Sequence, residues 1–436
     1  ENAHVWISPA SPEAGETVRV FAVSADHEID GLKVSGSDEV TSRRLETTQR
    51  GGPPYSLDAA LRMPLDGSSL RIEATLGDAT VTCRTLRPRE SQRALSDDWN
   101  RAHEAFFAAW IETLFDAPGD EGLNFKSLEP VLRDPERNVL HNYLGADEDI
   151  RLPATPDCAD LPYFLRTYFA WKIGLPVSFR ACDRGTSARP PHCGSPTIDR
   201  RFTQGPVPAA SFTGLMRKIA DTVHSGSART GLHDEATDFY PVPLDQKALW
   251  PGTVYADPYG HTLIIAKWIP QKGKQPGVLL AADAQPDNSV SRKRFWEGNF
   301  LFADVDSAGP GFKTFRPLVE RGESLHLPGN QSLSADAPGA PYSDEQEGMS
   351  ADAFYTAMKR LINPKGLEPE AAYNTMLSAL IEQLNTRVVA VENGEKYRRQ
   401  HGPAVIPMPA GPSIFETQGE WEDYAGHTRE MRLLIT

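Results

Sequence analysis

Apolar and polar positions follow two different periods along this chain, and the change between them divides it. Up to about residue 90 the signals are those of strands. Thr17-Val18-Arg19-Val20-Phe21-Ala22-Val23 and Ser69-Leu70-Arg71-Ile72-Glu73-Ala74 have β composition or two-residue alternation. Turn clusters such as Ser35-Gly36-Ser37-Asp38 and Gly51-Gly52-Pro53-Pro54 lie between them. Short strands at this spacing predict an all-β sandwich over residues 1–90. From about 95 the period becomes helical, with Trp99, Ala102, Phe106, Trp110 and Leu114 on one stripe. Asp97 and Asp98 place negative charge at the positive end of that helix. A second helix is predicted over Leu128–Tyr143 with a break at Pro135. A third carries Leu161, Phe164, Leu165 and Tyr168 on one face and stops at Gly174 and Pro176.

Residues 250–305 revert to strands: 253–255, 262–268, 277–282 and 300–302. The middle two are continuous apolar runs, as expected of strands covered on both faces. Helices followed by an antiparallel sheet make an α+β pattern. Residues 328–350 are rich in Pro, Gly, Ser and Ala and read as a linker or long surface loop. Two helices follow, at about 351–363 and 369–398, the second opened by Pro369. The tail after Pro403 is irregular until Met431-Arg432-Leu433-Leu434-Ile435. The predicted architecture is therefore multidomain: a β-sandwich (1–90), an α+β domain (95–327), a linker or loop (328–350) and C-terminal helices packed on the α+β domain (351–436).

Composition narrows the partners. A net charge of −14 repels nucleic acid and anionic membranes at long range and leaves neutral or cationic substrates. No apolar run approaches the ~20 residues of a membrane span. Arg292-Lys293-Arg294 is expected to be a solvated loop. The first residue is Glu1, with no signal-peptide pattern, which leads us to expect a processed, exported form, periplasmic or secreted from a bacterium. Cys182 and Cys193 bracket a Gly/Pro/Ser-rich loop and are the candidate disulfide of an exported chain. Cys83 sits in an alternating strand as an expected core thiol. Cys158 is then the odd thiol.

Cys158 lies in Asp157-Cys158-Ala159-Asp160-Leu161-Pro162, just ahead of the third helix. A thiol attacks a carbonyl as thiolate, and a helix N-terminus and a nearby imidazole both favour that form. Pro162 fits only a first turn, so the helix starts close to Cys158, with Asp157 or Asp160 as its cap. The Cys158 backbone N–H would point where an oxyanion forms. His261 follows the turn Asp257-Pro258-Tyr259-Gly260 and opens an apolar strand. Asp283 closes the next strand. A hairpin between them brings Asp283 to the far ring nitrogen of His261, fixing its tautomer. Asp257, Asp287 and Asn288 are rival orienters. Asn142, with His141, is a candidate second oxyanion donor. His224, Tyr255 and Tyr259 are candidate substrate contacts, and Thr237–Val242 a candidate cleft wall. No spacing suggests a metal or any other cofactor: there is no His-Glu-x-x-His, no Cys-x-x-Cys and no phosphate-binding glycine loop.

Asp157-Cys158-Ala159-Asp160-Leu161, Gly174-Leu175-Pro176, Gly260-His261 and Asp283 together resemble the transglutaminase-like branch of papain-fold enzymes. Leu249-Trp250-Pro251-Gly252-Thr253-Val254 before a strand histidine is similar to bacterial NlpC/P60 cell-wall peptidases, whose motif is Asp-Cys-Ser-Gly and whose third member is usually His. The first 90 residues resemble the immunoglobulin-like modules in front of exported bacterial enzymes. The resemblance covers about 150–305 and implies a papain-like fold with an insertion around 183–245. It implies Cys158 as nucleophile, His261 as base and Asp283 as orienter. The function it implies is amide hydrolysis on a peptide, including peptidoglycan peptides. The alternatives are acyl transfer to an amine, as in a transglutaminase, and a catalytically silent binding protein with a papain-like groove.

Overall fold

Eight strands form first: β1 Ala3–Ser8, β2 Thr17–Ser24, β3 Gly31–Gly36, β4 Arg43–Arg44, β5 Thr48–Gly51, β6 Tyr55–Arg62, β7 Leu70–Leu76 and β8 Ala79–Leu86. They make two antiparallel four-stranded sheets, β1-β2-β6-β5 and β4-β3-β7-β8. Alternation turns Val18, Val20, Leu32, Leu57, Leu61 and Ile72 inward to a shared interior. The structure is a computed structural model and describes residues 3–36, 42–93, 95–285, 288–322 and 324–401.

The remainder is mixed α and β. In chain order it comprises α1 Arg101–Leu114, β9 Asn124–Phe125, α2 Glu129–Leu132, α3 Asp160–Ile173, β10 Val177–Phe179, β11 Thr197–Asp199, α4 Ala209–Ala220, β12 Phe239–Pro241, β13 Val254–Ala256, β14 Thr262–Ile269, β15 Val278–Ala284, β16 Val290–Arg294, β17 Gly311–Phe315, β18 Val319–Arg321, β19 Ser324–His326, α5 Ala351–Ile362 and α6 Pro369–His401. Seven strands make one sheet in the order β12-β17-β13-β14-β15-β16-β9. One face of it, carrying Val254, Ala256, Ile264, Ala282 and Ala284, belongs to the core built on α1, α3 and α4. The other face, carrying Tyr255, Leu263, Ile265, Leu279 and Phe312, meets Phe354 and Met358 of α5. Among the described residues no helix is long and apolar enough to cross a membrane.

The sandwich is docked rather than tethered. Trp6 stacks on Phe106 of α1 at 4.6 Å, and Phe21 lies in the same core. Arg50 reaches Asp116 (3.1 Å) and Arg101 reaches Asp26 (2.5 Å) across the junction.

Several expectations need correction. The helix predicted over Leu128–Tyr143 is one turn, Glu129–Leu132, and Asp134 then caps a turn by accepting from the Glu136 N–H (2.8 Å). α1 is capped by Asn100, reciprocally with His103, while Asp97 lies outside the helix and pairs with Arg200 (2.7 Å). Residues 300–302 are irregular, although Phe300 and Phe302 are buried. The 328–350 segment is a packed loop, not a linker: Leu333, Ala337 and Gln346 are buried, and Gln346 bonds Val242 O and Phe312 N. Cys83 is exposed, on the outer face of β8. Residues 183–245, expected as an insertion, are built into the core through α4, whose Phe212 stacks on Trp171 at 4.7 Å. Thr237, Asp238 and Tyr240, expected at a cleft, are buried. The tail expected after Pro403 lies outside the described residues.

Candidate active site

The start of α3 is built by Asp157. Its Oδ1 accepts from the backbone N–H groups of Ala159 (2.8 Å) and Asp160 (2.9 Å), and its carbonyl accepts from Leu161 N–H (3.0 Å). This is a side-chain cap, which frees the following apolar run to propagate as helix. Cys158 stands inside that capped turn, buried, and is not in a disulfide. Gly174 ends the helix in the left-handed conformation (φ 97°), its N–H bonded to Ala170 O (2.8 Å).

The acids at this turn oppose a thiolate. Burial, then the negative charges of Asp157 and Asp221, push the Asp160 carboxyl up to about 7. The helix dipole alone therefore acts against adjacent negative charge, and an activated Cys158 needs a base.

The base and its partner come from the predicted hairpin. β14 pairs antiparallel with β15, Ile264 opposite Ala282, which sets Asp283 beside the entry to β14. His261 Nε2 and Asp283 Oδ2 are 2.9 Å apart. Asp257 fixes the preceding turn: its Oδ1 accepts from the N–H groups of Tyr259 (2.7 Å) and His261 (2.9 Å). Asp257 thus shapes the backbone and does not orient the ring. Asn288 occupies the β15–β16 turn (φ 65°), and Asp287 lies outside the described residues.

Asp283 is fully buried and receives more donors than the sequence indicated. Gln285 Nε2 (2.6 Å), Ser291 Oγ (2.6 Å) and Lys293 Nζ (2.8 Å) bond it alongside His261. Burial raises its carboxyl, but the Lys293 ammonium and His261 outweigh that and hold it well below the usual carboxylate range. An ionised Asp283 accepts from Nε2–H and leaves Nδ1 as the basic nitrogen. Lys293 belongs to a run expected to be a solvated loop. Instead that run is β16, with Lys293 opposite Ala281, and its neighbour Arg292 turned inward onto the carbonyls of Phe115 (3.0 Å) and Glu121 (2.8 Å). Val290-Ser291-Arg292-Lys293-Arg294 shows no apolar alternation, so the local sequence carried no signal for this strand.

Strand alternation puts Asp283 on the α5 side of the sheet with Leu279 and Ala281, whereas α3 belongs to the opposite layer. Cys158 thus opens a helix on one side of the sheet, and the Asp283 carboxylate that holds His261 lies on the other. One bridge spans that region: Tyr163 of α3 donates to Asp238 (2.8 Å), and Ser227 also bonds Tyr163. Arg229, two residues beyond Ser227, donates to Pro258 O (3.3 Å) in the turn before His261.

The other candidates fall elsewhere. Asn142 Oδ1 accepts from Asp147 N–H (2.7 Å), and its own N–H donates to Asp149, which pairs with Lys172 (2.7 Å). Lys172 lies in the last turn of α3, about 20 Å along the helix from Cys158, so Asn142 stands at the wrong end for an oxyanion donor. Tyr255 is core, its hydroxyl donating to Leu301 O (2.7 Å). Tyr259 is 40% exposed beside His261. His224 is structural: burial lowers its pKa, Nδ1 accepts from Gly226 N–H (3.0 Å) and Nε2–H donates to Cys182 O (2.9 Å). Cys182 and Cys193 are joined in a disulfide.

Comparison of the chain with protein-family models, with curated proteins and with solved structures finds no match.

Proposed function

We propose that this protein is a thiol-dependent amide hydrolase of papain-like, transglutaminase-like design, acting on a peptide, with peptidoglycan peptides as the leading class, in the periplasm or outside the cell. The observation that carries the reading is the buried His261–Asp283 pair, delivered by a β-hairpin, in a chain whose Cys158, buried and outside any disulfide, opens a capped helix. In this reading Cys158 Sγ bonds the substrate carbonyl carbon while its proton passes to His261 Nδ1. The C–N bond then breaks, and His261 returns that proton to the leaving amine. Water attacks the thioester, giving one proton to His261 and then back to Sγ, so acid and thiol are released. Asp283 keeps Nε2 protonated throughout and compensates the imidazolium. An amine in place of water gives transglutamination by the same acyl-enzyme, and the acceptor is decided by access to the thioester.

The test is turnover on peptidoglycan-derived peptides, with amine incorporation into a glutamine peptide measured in parallel. Cys158→Ala is expected to abolish both while leaving the circular dichroism spectrum and melting transition intact. Undiminished turnover in a folded Cys158→Ala protein would remove the mechanism.

A further inference from the structure

The long C-terminal helix presents an apolar face to water. Tyr373, Met376, Leu377, Leu380, Ile381, Leu384 and Val388 are between 38 and 61% exposed. Their spacing of three and four places them on one stripe of α6. The opposite side of the helix makes the contact with the body. There Ala379 is 3% exposed and Glu382 reaches Arg294 at 3.3 Å. The stripe therefore points away from the protein, over a helix of about 50 Å.

We propose that this stripe is the contact surface between two copies of this chain, with their α6 helices paired antiparallel about Leu384. Register and charge both favour that occupant. A two-fold axis at Leu384 sets Leu384 on its own copy and Leu380 on Val388, which is apolar on apolar at both layers. The same register brings Glu368 and Glu370, at the start of the helix, to the end that carries Arg399. A parallel pair would instead set acid on acid and base on base, which is unfavourable. The exposed stripe amounts to roughly 600–700 Å² per copy, or about 1,300 Å² in the pair, within the range of specific stable interfaces. Because the body lies on the far side of α6, pairing needs no rearrangement of either copy.

Sedimentation velocity and equilibrium on the full chain, across a concentration series, test the proposal. A reversible dimer is expected. Leu380→Glu with Leu384→Glu is expected to weaken the dimer at least tenfold and leave the far-ultraviolet spectrum intact, because both side chains lie on the exposed face of α6. Glu370→Arg is expected to weaken it at low salt, and Glu370→Arg with Arg399→Glu to restore it. A full chain that stays monomeric at high concentration would overturn the proposal. So would a dimer indifferent to the double glutamate variant, since the contact would then lie elsewhere. A monomer that dimerises only when residues 402–436 are removed would also overturn it, by showing that the following segment covers the stripe.

Discussion

Asp283 is the residue on which the site turns. It is fully buried, yet four donors, the Lys293 ammonium among them, hold it ionised, so its charge is available to His261 and not lost to protonation. The sign of its pH dependence follows. Its folded pKa lies below the ordinary value of 3.8, so it stabilises the fold above that value, and the contribution is lost as the pH falls through the folded pKa. Asp283→Asn is expected to cost about 3–5 kcal/mol near neutral pH, because Lys293 and His261 lose a carboxylate in a buried setting. Urea melts at pH 7 and pH 3 check it, and the deficit should be smaller at the lower pH. At this scale the pairing of His261 with Asp283 was legible from strand ends, and the position of Cys158 at a helix start from Pro162 and the apolar run after it. Lys293 and Ser291 were not, because their role depends on β16 pairing with β15, a contact absent from the local pattern. Asn142 and Tyr255 were misplaced for the same reason: an amide or a ring shows its chemistry in the sequence but not its neighbours.

The elements read best where period and punctuation agree. The hairpin of β14 and β15 and the whole of α3 were visible as apolar runs with stops. α2 failed because the apolar spacing of 128–143 was real but Pro135 and the Asp134 turn fold it back after four residues. Gly174 shows why the stop on α3 is firm. With φ at 97°, an Ala there would be strained, and its Cβ would meet Leu95 Cδ2 at 2.5 Å. Leu95 is exposed enough to shift, so the backbone term dominates. Gly174→Ala is expected to lower stability by about 1–2 kcal/mol, measurable by urea denaturation, without changing the reactivity of Cys158 at the far end of the helix.

At the scale of the whole molecule, the junction of sandwich and α+β domain carries its own titration. Glu112 of α1 is buried there, against Gly51 at the end of β5 and near Lys267, Asp116 and Arg50. Burial is the leading influence and pushes its carboxyl from 4.5 up to about 7. The folded state therefore keeps a proton that the unfolded chain releases, and stability falls as the pH rises from about 4.5 to 7. Glu112→Gln is expected to remove that slope and stabilise the protein at pH 8 by about 2–3 kcal/mol, with little change at pH 4. Thermal melts across that range, comparing both proteins, would show whether the two curves converge in acid. The sequence separated the two domains by their periods. It did not show that they share a core, because Trp6 and Phe21 alternate as ordinary strand residues until α1 is placed beside them. The packed 328–350 segment was hidden likewise, since Leu333, Ala337 and Gln346 are few among its prolines and glycines.

The central claim is that Cys158 is activated by a base oriented by Asp283. The most direct measurement is the pH dependence of iodoacetamide alkylation at Cys158 in the native protein, located by mass spectrometry, in the parent chain and in His261→Ala. The exposed Cys83 serves as an internal reference for the alkylation. The account expects Cys158 to label well below pH 8, faster than Cys83, and to lose that advantage in His261→Ala. Labelling of Cys158 only on unfolding, or at a rate indifferent to His261, would contradict it.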